Sequence, residues 1–394
     1  MEESVWKYLK GDRIIWFIIA GLSVVSMLVI YSSTGNLAAK YEGDAISFML
    51  RQALFFLIGL GIIVVVHNVP YKWFARFYMI FFVAAVVLLV YTLFFGPEIN
   101  HARRWITIPF TSIRFQPSEF AKIALVVYLA RELARYQEER ITLRIYIRKL
   151  LMPMLLIISL IITEDLSTAV LIGFGGMVLM FIGRVPLKYI FSTGAIAIGL
   201  LTLILLFGKM YPDHAPMRVQ TWLARIESFS SGGSDNKNIK DAHSYQSRKA
   251  EIAVANGGLF GQGPGNSIQR NFLPHPYSDF VYAIIVEEYG LIGGFVVLLA
   301  YLVLLFRAGV IVRYSKKVFP ALLVVGLTMV LVVQAIINMG VSVGAFPVTG
   351  QTLPLVSMGG TSVLFSCLAF GMILSVSIYA KELREKEAAN ESNN

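Results

Sequence analysis

The chain has 394 residues, of which 57% are hydrophobic and 15% are charged, and its mean hydropathy is +0.69. This balance excludes a soluble globular domain and is typical of a polytopic helical membrane protein. The formal net charge of +10 does not indicate a nucleic-acid partner, because the basic residues lie in short segments between apolar runs, as membrane topology requires. The single cysteine, Cys367, excludes an internal disulfide.

Apolar runs of helical length recur along the chain, and they predict an all-α polytopic membrane protein with ten transmembrane helices. The predicted segments are 14–31, 50–68, 75–95, 117–131, 149–163, 166–183, 189–208, 279–306, 319–343 and 360–380. The first run has no small-residue cleavage site, so we expect a retained helix. The fourth and fifth runs are short, so we expect them to be tilted, half-buried or shielded by neighbouring helices.

The distribution of lysine and arginine predicts the orientation in the membrane. With the N-terminus in the cytoplasm, the cytoplasmic segments hold about 20 of the 34 basic residues, and the short outer loops hold about five. An even number of helices returns the C-terminus to the cytoplasm. Residues 1–380 are therefore predicted to form one membrane domain, followed by a polar tail, 381–394, that we expect to be disordered.

The largest hydrophilic insertion, 209–278, lies between the seventh and eighth predicted helices and on the outer face. Its middle, 228–244, is predicted to be a flexible polar patch, whereas the spaced apolar residues on both sides indicate surface helices. A loop of this length in a compact membrane protein is normally functional. Its glycine-rich end, 257–265, follows no predicted strand, so a nucleotide site is not expected.

Asp279 is the most prominent polar residue, because it stands at the outer mouth of the eighth predicted helix. A carboxylate in this position is costly, since water cannot fully solvate it, and such residues usually face a cavity and have a function. The alternative is a structural role, in which Asp279 or Ser278 caps the helix and interacts with its dipole.

Several other polar motifs fall on the same predicted side of the membrane. The candidate substrate-binding residues are Arg103, Arg104, Glu119, Lys122, Asp165, Thr349 and Ser357. Each group also has a structural interpretation. The two arginines would bind lipid phosphates, Glu119 and Lys122 would form an ion pair three residues apart on one helix face, and Asp165 would cap the sixth helix. Their occurrence together on one face favours a site.

The chemistry of this face is limited by what the sequence contains. No zinc-ligand spacing, Ser/His/Asp pattern or phosphate-binding loop occurs, and no protein metal site is predicted. One carboxylate, several cations and a wide apolar flank suit a lipid-linked anionic substrate, with the cations on a pyrophosphate and the carboxylate accepting a proton from a hydroxyl nucleophile.

A pair of catalytic carboxylates is not expected on the eighth helix. Asp279 and Glu287 are eight residues apart, so they diverge by about 80° and by roughly 12 Å along the axis, beyond the roughly 5–9 Å of paired glycosidase carboxylates. One base suffices when the leaving group is already good. A lipid pyrophosphate meets this condition when Arg, Lys or a divalent cation, Mg²⁺ or Mn²⁺, balances its charge.

Five motifs together give the chain a resemblance to a known family. They are ARRWI at 102–106, QPSEFAK at 116–122, GGLFGQGPG at 257–265, LPHPYSDFVYAIIVEEYGLIGG at 273–294 and FPVTGQTLPLVSMGGTS at 346–362. Over about residues 12–380 the chain resembles the SEDS family, the FtsW, RodA and SpoVE group of bacterial peptidoglycan polymerases. The resemblance implies ten transmembrane helices with a large outer loop between helices 7 and 8.

The resemblance also implies an activity, which is polymerisation of lipid II into glycan strands with release of undecaprenyl pyrophosphate at the outer face of the bacterial plasma membrane. The family's essential aspartate falls on Asp279, its Glu and Lys on Glu119 and Lys122, and its paired arginines on Arg103 and Arg104. The implied partner is a class B penicillin-binding protein, a transpeptidase, with other membrane proteins of the divisome or elongasome. The sequence around Asp279 is more similar to that of FtsW, the division member of the family. RodA, the elongation member, is the alternative.

The chain departs from the family pattern at His101, at residues 164–167, at Pro276 to Ser278, and at Met358, and none of these changes removes a proposed catalytic group. Two other functions stay open from the sequence. A lipid II flippase would need polar groups at midplane depth with access from both sides, and a non-catalytic scaffold would only position the transpeptidase.

Overall fold

A computed structural model of the chain describes residues 9–40, 45–98, 102–107, 114–138, 141–230, 242–273 and 277–392. Within these ranges the protein is predominantly α-helical, and each predicted apolar segment coincides with a helix. The helices are α1 (Arg13–Lys40), α2 (Ala45–His67), α3 (Tyr71–Phe95), α4 (Pro117–Arg135), α5 (Leu143–Ile162), α6 (Leu166–Ile182), α7 (Leu187–Met210), α8 (Met217–Ser230), α9 (Ala242–Gly257), α10 (Val281–Tyr314), α11 (Val318–Ser342) and α12 (Thr361–Ser392). His101, Pro276 and most of the predicted flexible patch lie outside the described residues.

Seven helices in the described part of the chain are long and apolar enough to cross a membrane, namely α1, α3, α5, α7, α10, α11 and α12. Helix α2, through its part 52–67, and helix α6 are shorter apolar helices. The composition and the number of these helices make the chain a multi-pass membrane protein. Helix α5 contains a π-helical stretch at Tyr146–Leu151.

Helix α4 has five charged residues, yet most of it is buried. It packs against α3, α6 and α11, so the prediction that neighbours would shield this segment is confirmed. Its buried charges have partners: Glu119 pairs with Lys122, and Glu132 accepts a hydrogen bond from the hydroxyl of Tyr78, 3.0 Å away. A low-dielectric interior tolerates charged side chains when they are paired or hydrogen-bonded, which explains how α4 can be buried.

A two-stranded antiparallel hairpin precedes α4, with strands β1 (Ile106–Thr107) and β2 (Arg114–Phe115). Pro117 occupies the first turn of α4, where its missing N–H costs nothing. The first turn also carries Glu119, whose charge suits the positive end of the helix dipole. The hairpin and Pro117 therefore fix the point at which Glu119 and Lys122 enter the interior.

The surface helices predicted on both sides of the polar patch are confirmed as α8 and α9. The glycine-rich stretch after α9 crosses α10 at a kink, where Gly290 has φ +72°. The amides of Gln262 and Gly263 donate to the carbonyls of Glu287 and Glu288, at 2.9 and 3.0 Å. These contacts dock the glycine-rich stretch on α10.

The tail differs from its predicted disorder. Helix α12 continues from the apolar segment through 381–392 and ends at Ser392. Two ion pairs accompany this extension, Lys381 with Glu385 at 3.8 Å and Lys316 with Glu387 at 2.7 Å. Pairs four residues apart stabilise an exposed helix, which accounts for part of the difference.

Candidate active site

Asp279 lies in the turn 277–280 and not in the helix that follows, because α10 begins at Val281. The N-cap of α10 is Phe280, which makes no side-chain cap hydrogen bond, so neither Ser278 nor Asp279 occupies the N-cap position considered for them. The hydroxyl of Ser278 instead donates to Oδ1 of Asp279 at 2.7 Å. The carboxylate is half-buried, and its Oδ2 faces Gly350, where a Cβ atom would lie 3.7 Å away.

The loop 346–360 forms the opposite wall of this turn. Ser357 is buried, and its hydroxyl accepts from the amide of Leu353 at 2.8 Å and donates to the carbonyl of Ser278 at 2.6 Å. Thr349 is half-buried and directly precedes Gly350. The structure therefore places Ser357 against the turn of Asp279, which it holds in position, and places Thr349 next to the glycine that faces the carboxylate.

Glu119 and Lys122 belong to a closed ring of polar contacts. Nζ of Lys122 lies 2.8 Å from Oε1 of Glu119 and donates to Oε1 of Gln334 at 2.7 Å. The amide of Gln334 donates to Thr352, whose hydroxyl lies 3.0 Å from that of Ser362. Ser362 closes the ring on Oε2 of Glu119 at 3.4 Å. The predicted ion pair is confirmed, and the ring ties α4 to α11, α12 and the loop beside Asp279.

Helix α11 connects this ring to the aspartate. Asn338 follows Gln334 by one helical turn, and its side-chain amide donates to the carbonyl of Asp279 at 2.8 Å and to that of Gln351 at 2.7 Å. The side chain of Gln351 in turn donates to the hydroxyl of Thr168 at 2.9 Å. The backbone of Asp279 is thus held by a helix that also holds the partner of Lys122.

The paired arginines meet the acidic turn between α5 and α6. Arg104 pairs with Oδ2 of Asp165 at 3.3 Å, and the amide of Arg103 donates to Oε2 of Glu164 at 2.8 Å. Arg218 of α8 reaches the same oxygen of Glu164 at 3.4 Å. Neighbouring carboxylates therefore orient the side chains of Arg104 and Arg218 and hold the backbone of Arg103.

Asp165 has two roles at once. Its Oδ1 accepts from the amide of Thr168 at 3.0 Å and caps α6, so the structural interpretation of this residue is confirmed. Its Oδ2 is the oxygen that binds Arg104. A cap that also orients an arginine links the start of α6 to the site.

A small open cleft lies beside the arginines. Apolar residues of α3 and α5 form one part of the wall, and charged groups form the rest. The lining residues are Leu89, Thr92, Leu93, Arg103, Arg104, Pro117, Ser118, Leu160, Ile161, Glu164 and Asp165. Asp279 is not among them, so the cleft and the aspartate are neighbouring parts of one face and not one cavity.

Arg225 of α8 lies between these two parts, and nothing in the sequence singled it out. Its guanidinium donates to the carbonyl of Val348 at 3.3 Å. Burial lowers the pKa of Arg225, the positive charge of Arg104 lowers it further, and the negative charges of Asp165 and Asp279 act in the opposite direction. The group stays protonated near neutral pH, so it is a permanent positive charge close to both acids.

The other carboxylates of α10 have their own partners and do not pair with Asp279. Glu287 accepts from the hydroxyl of Ser267 and from the amide of Gln269, and Glu288 accepts from the hydroxyl of Ser32. Across the described ranges, no group of three or more His, Cys, Asp or Glu side chains is arranged to hold a metal ion.

Comparison with known proteins decides the family. Residues 12–382 match the sequence model of the FtsW/RodA/SpoVE cell cycle proteins. The chain belongs to this family. Among FtsW relatives named as probable peptidoglycan glycosyltransferases, one from Hydrogenovibrio crunogenus is 33% identical, with 96% of this chain and 94% of the relative covered. One from Halomonas elongata is 31% identical, with coverage of 94% and 92%.

Two solved structures share the fold. A chain of a peptidoglycan synthase complex that coordinates polymerization and crosslinking matches with a TM-score of 0.72 and 23% identity, covering 94% of this chain and 98% of that one. The rod shape determining protein RodA of Thermus thermophilus matches with a TM-score of 0.66 and 24% identity, over 94% and 98% of the two chains.

Proposed function

We propose that this protein is a peptidoglycan glycosyltransferase that polymerises lipid II into glycan strands and releases undecaprenyl pyrophosphate. The observation that carries the proposal is the setting of Asp279, a half-buried carboxylate outside the regular helix whose backbone and neighbours are fixed by Asn338 and Ser357. A pre-oriented carboxylate next to cations suits proton transfer beside an anionic leaving group. The names of the FtsW relatives support the same activity.

In the proposed reaction, Asp279 accepts the proton of an acceptor sugar hydroxyl while the oxygen attacks the anomeric carbon of the donor. A new glycosidic C–O bond forms, and the C–O bond to the pyrophosphate breaks, so the electron pair leaves with the pyrophosphate oxygen. The proton on Asp279 then passes to solvent. The Asp279 carboxylate is the only protein group that this step requires as a base.

The remaining candidate residues would bind the substrate. Arg103 and Arg104 line the cleft and would bind phosphate oxygens, with Asp165 orienting Arg104. Glu119 and Lys122 would meet the sugar or phosphate groups from the ring described above. Thr349 and Ser357 would shape the wall opposite Asp279, where Ser357 acts by holding Ser278.

A divalent cation, Mg²⁺ or Mn²⁺, is proposed as a contributor that arrives with the substrate. Mg²⁺ is commonly held by substrate phosphates with only one or two protein carboxylates. We therefore expect the chain alone to leave the six-line electron paramagnetic resonance signal of free Mn²⁺ unchanged, and expect addition of lipid II to the chain to weaken this signal more than lipid II does without the chain. Tight Mn²⁺ binding without substrate would contradict this assignment.

The membrane arrangement that fits this activity has ten crossing helices, α1 to α7 and α10 to α12. The large loop with α8 and α9 would lie outside, and both termini would lie in the cytoplasm of a bacterium with an inner membrane. The location of most basic residues on one side supports this orientation. Single cysteines introduced in place of Arg248 and of Arg313 test this orientation. In intact cells an impermeant thiol reagent should label only the cysteine at position 248, because that position would lie outside.

The proposed partner is a class B penicillin-binding protein, which would crosslink the strands that this chain makes. The structural neighbour from a complex that coordinates polymerization and crosslinking supports it. We further propose the FtsW-like role in cell division, with other divisome proteins, over the RodA-like role in elongation. Depletion in cells distinguishes these roles, because loss of division gives filaments and loss of elongation gives rounded cells.

The decisive experiment is polymerisation of lipid II by the purified chain with its transpeptidase partner. We expect glycan polymer from the wild-type chain and none from Asp279→Asn with an unchanged melting temperature. Polymer from a folded Asp279→Asn variant would reject the base assignment. Translocation of lipid II by the chain alone in proteoliposomes, without polymer, would favour a flippase, and full function of Asp279→Asn in cells would favour a scaffold.

A further inference from the structure

Helix α8 carries two arginines on one face. Arg218 and Arg225 are seven residues apart, and seven residues return an α-helix to within about 20° of the same direction. Arg218 reaches Glu164 in the turn after α5, and Arg225 reaches the carbonyl of Val348 in the loop beside Asp279. This outer helix therefore bridges the cleft side and the aspartate side of the site.

Two guanidinium groups here have unused hydrogen-bond capacity. Nε of Arg104 and Nε of Arg225 are both buried, and neither has a hydrogen-bond partner among the residues that the structure describes. A buried donor without a partner is costly. Most buried donors find a partner in a folded protein, so two orphaned donors in one cluster point to a ligand.

The charges around these donors define the ligand. Arg225 experiences the positive charges of Arg104 and Arg218 and the negative charges of Asp165 and Asp279. Mutually repelling arginines held together in a partly buried site favour an anion that can accept from several of them. A diphosphate has this geometry, because arginine donates two parallel bonds to phosphate oxygens.

We infer that Arg225, acting with Arg104, binds the diphosphate of the lipid-linked substrate and places it next to Asp279, with α8 as the element that completes the site. The inference rests on the proposed function, since it assigns the leaving group of that reaction. Asp279 would take the proton of the acceptor, and the Arg225 guanidinium would neutralise the charge that develops on the departing diphosphate oxygen.

The test separates binding from turnover by using the inactive Asp279→Asn chain as the background. In it, we compare binding of undecaprenyl pyrophosphate and of undecaprenyl monophosphate by the full chain, and then add Arg225→Gln or Arg225→Lys. We expect Arg225→Gln to weaken pyrophosphate binding about tenfold or more and monophosphate binding much less. Arg225→Lys keeps the charge and should restore part of the loss.

The matched control is Arg248→Gln, which removes an exposed positive charge from the same outer loop and should leave both affinities unchanged. Equal pyrophosphate affinity in the Arg225→Gln and parent chains, at equal melting temperatures, would overturn the inference. The inference would also be overturned if Arg248→Gln weakened pyrophosphate binding as much as Arg225→Gln does, because the loss would then follow from the lower net charge of the loop.

Kinetics on the otherwise wild-type chain gives an independent result. Arg225→Gln should raise the KM for lipid II and lower kcat, whereas a purely structural arginine would lower the active fraction and leave KM unchanged. Absence of polymer from the wild-type chain would count against the proposed function, while the binding comparison would still decide the role of Arg225.

Discussion

The side-chain amide of Asn338 lies 2.8 Å from the carbonyl oxygen of Asp279 and 2.7 Å from that of Gln351, and it donates to both. One buried side chain in the middle of the molecule therefore fixes the backbone of the aspartate and that of the loop opposite. Its own Oδ1 has no partner among the described residues. The position of the Asp279 carboxylate depends on α11, although α11 contributes no charge to the site.

We expect Asn338→Ala to lower kcat by about 10–100-fold, because small displacements of a reacting group are costly, with little change in KM. The loss of two buried hydrogen bonds should also cost about 1–3 kcal/mol of stability. Polymerisation kinetics and thermal unfolding in detergent measure the two effects. Thr328→Val on the same helix is the matched control, since the Thr328 hydroxyl is buried without a hydrogen-bond partner in the described part of the chain. An unaffected kcat in Asn338→Ala would show that the amide does not position the aspartate.

The pair of Glu119 and Lys122 allows the structural and the functional interpretations to be separated. Removal of one partner leaves a buried charge uncompensated, so Glu119→Gln and Lys122→Gln should each cost about 3–5 kcal/mol. The double variant removes both charges, and we expect it to recover most of the melting temperature and none of the polymerisation. Recovery of activity together with stability would indicate a purely structural ion pair.

An exposed ion pair is the control for these single and double variants of Glu119 and Lys122. Lys381 and Glu385 lie on the polar C-terminal part of α12 with both side chains more than half exposed. Their single and double glutamine variants should change the stability by less than about 1 kcal/mol. The comparison isolates the effect of burial from the effect of charge.

The apolar segments and the surface helices could be predicted from the sequence because both follow from local patterns. Spans of about twenty apolar residues and spaced apolar residues in a polar loop are visible without knowledge of the fold. The candidates Arg104, Asp165, Glu119 and Lys122 were also visible, because charged residues at the ends of apolar runs are unusual.

The residues that connect these candidates were harder to find. Gln334 and Asn338 are polar residues four apart inside an apolar helix, and this spacing is a signal that sequence reasoning could have used. Ser362 gives no such signal. Arg225 lies in an amphipathic surface helix, where an arginine is ordinary, and only the packing of α8 against the loop at Val348 sets it apart.

The docking of the glycine-rich stretch depends on contacts between backbones. A Cβ atom at Gly261, which has φ +82°, would lie 2.2 Å from the carbonyl oxygen of Glu288, whereas one at Gly265, with φ +80°, would meet nothing within 4 Å. Gly265→Ala should cost about 1–2 kcal/mol from its backbone conformation alone. Gly261→Ala should cost clearly more, because the loop must also move away from α10.

Thermal unfolding of the two alanine variants measures this difference, and polymerisation should fall with Gly261→Ala because the chain leading to Asp279 is displaced. Equal melting temperatures for the two variants would mean that the loop does not dock on α10 as closely as these contacts indicate. Hydrogen exchange at Gln262 and Gly263, whose amides donate to α10, should accelerate in Gly261→Ala and stay unchanged in Gly265→Ala.

Variants of Asp165 show whether this residue, which caps α6, also contributes to substrate binding by orienting Arg104. Asp165→Asn keeps a side-chain oxygen for the amide of Thr168, and asparagine is as good an N-cap as aspartate, so the cap on α6 should be retained. The charge on Arg104 then loses its partner, and we expect the KM for lipid II to change several-fold. Asp165→Ala removes the cap as well and should cost about a further 1 kcal/mol. If Asp165→Asn polymerises lipid II with the wild-type KM while Asp165→Ala is destabilised, Asp165 acts only as a cap, and Arg104 is oriented by other contacts.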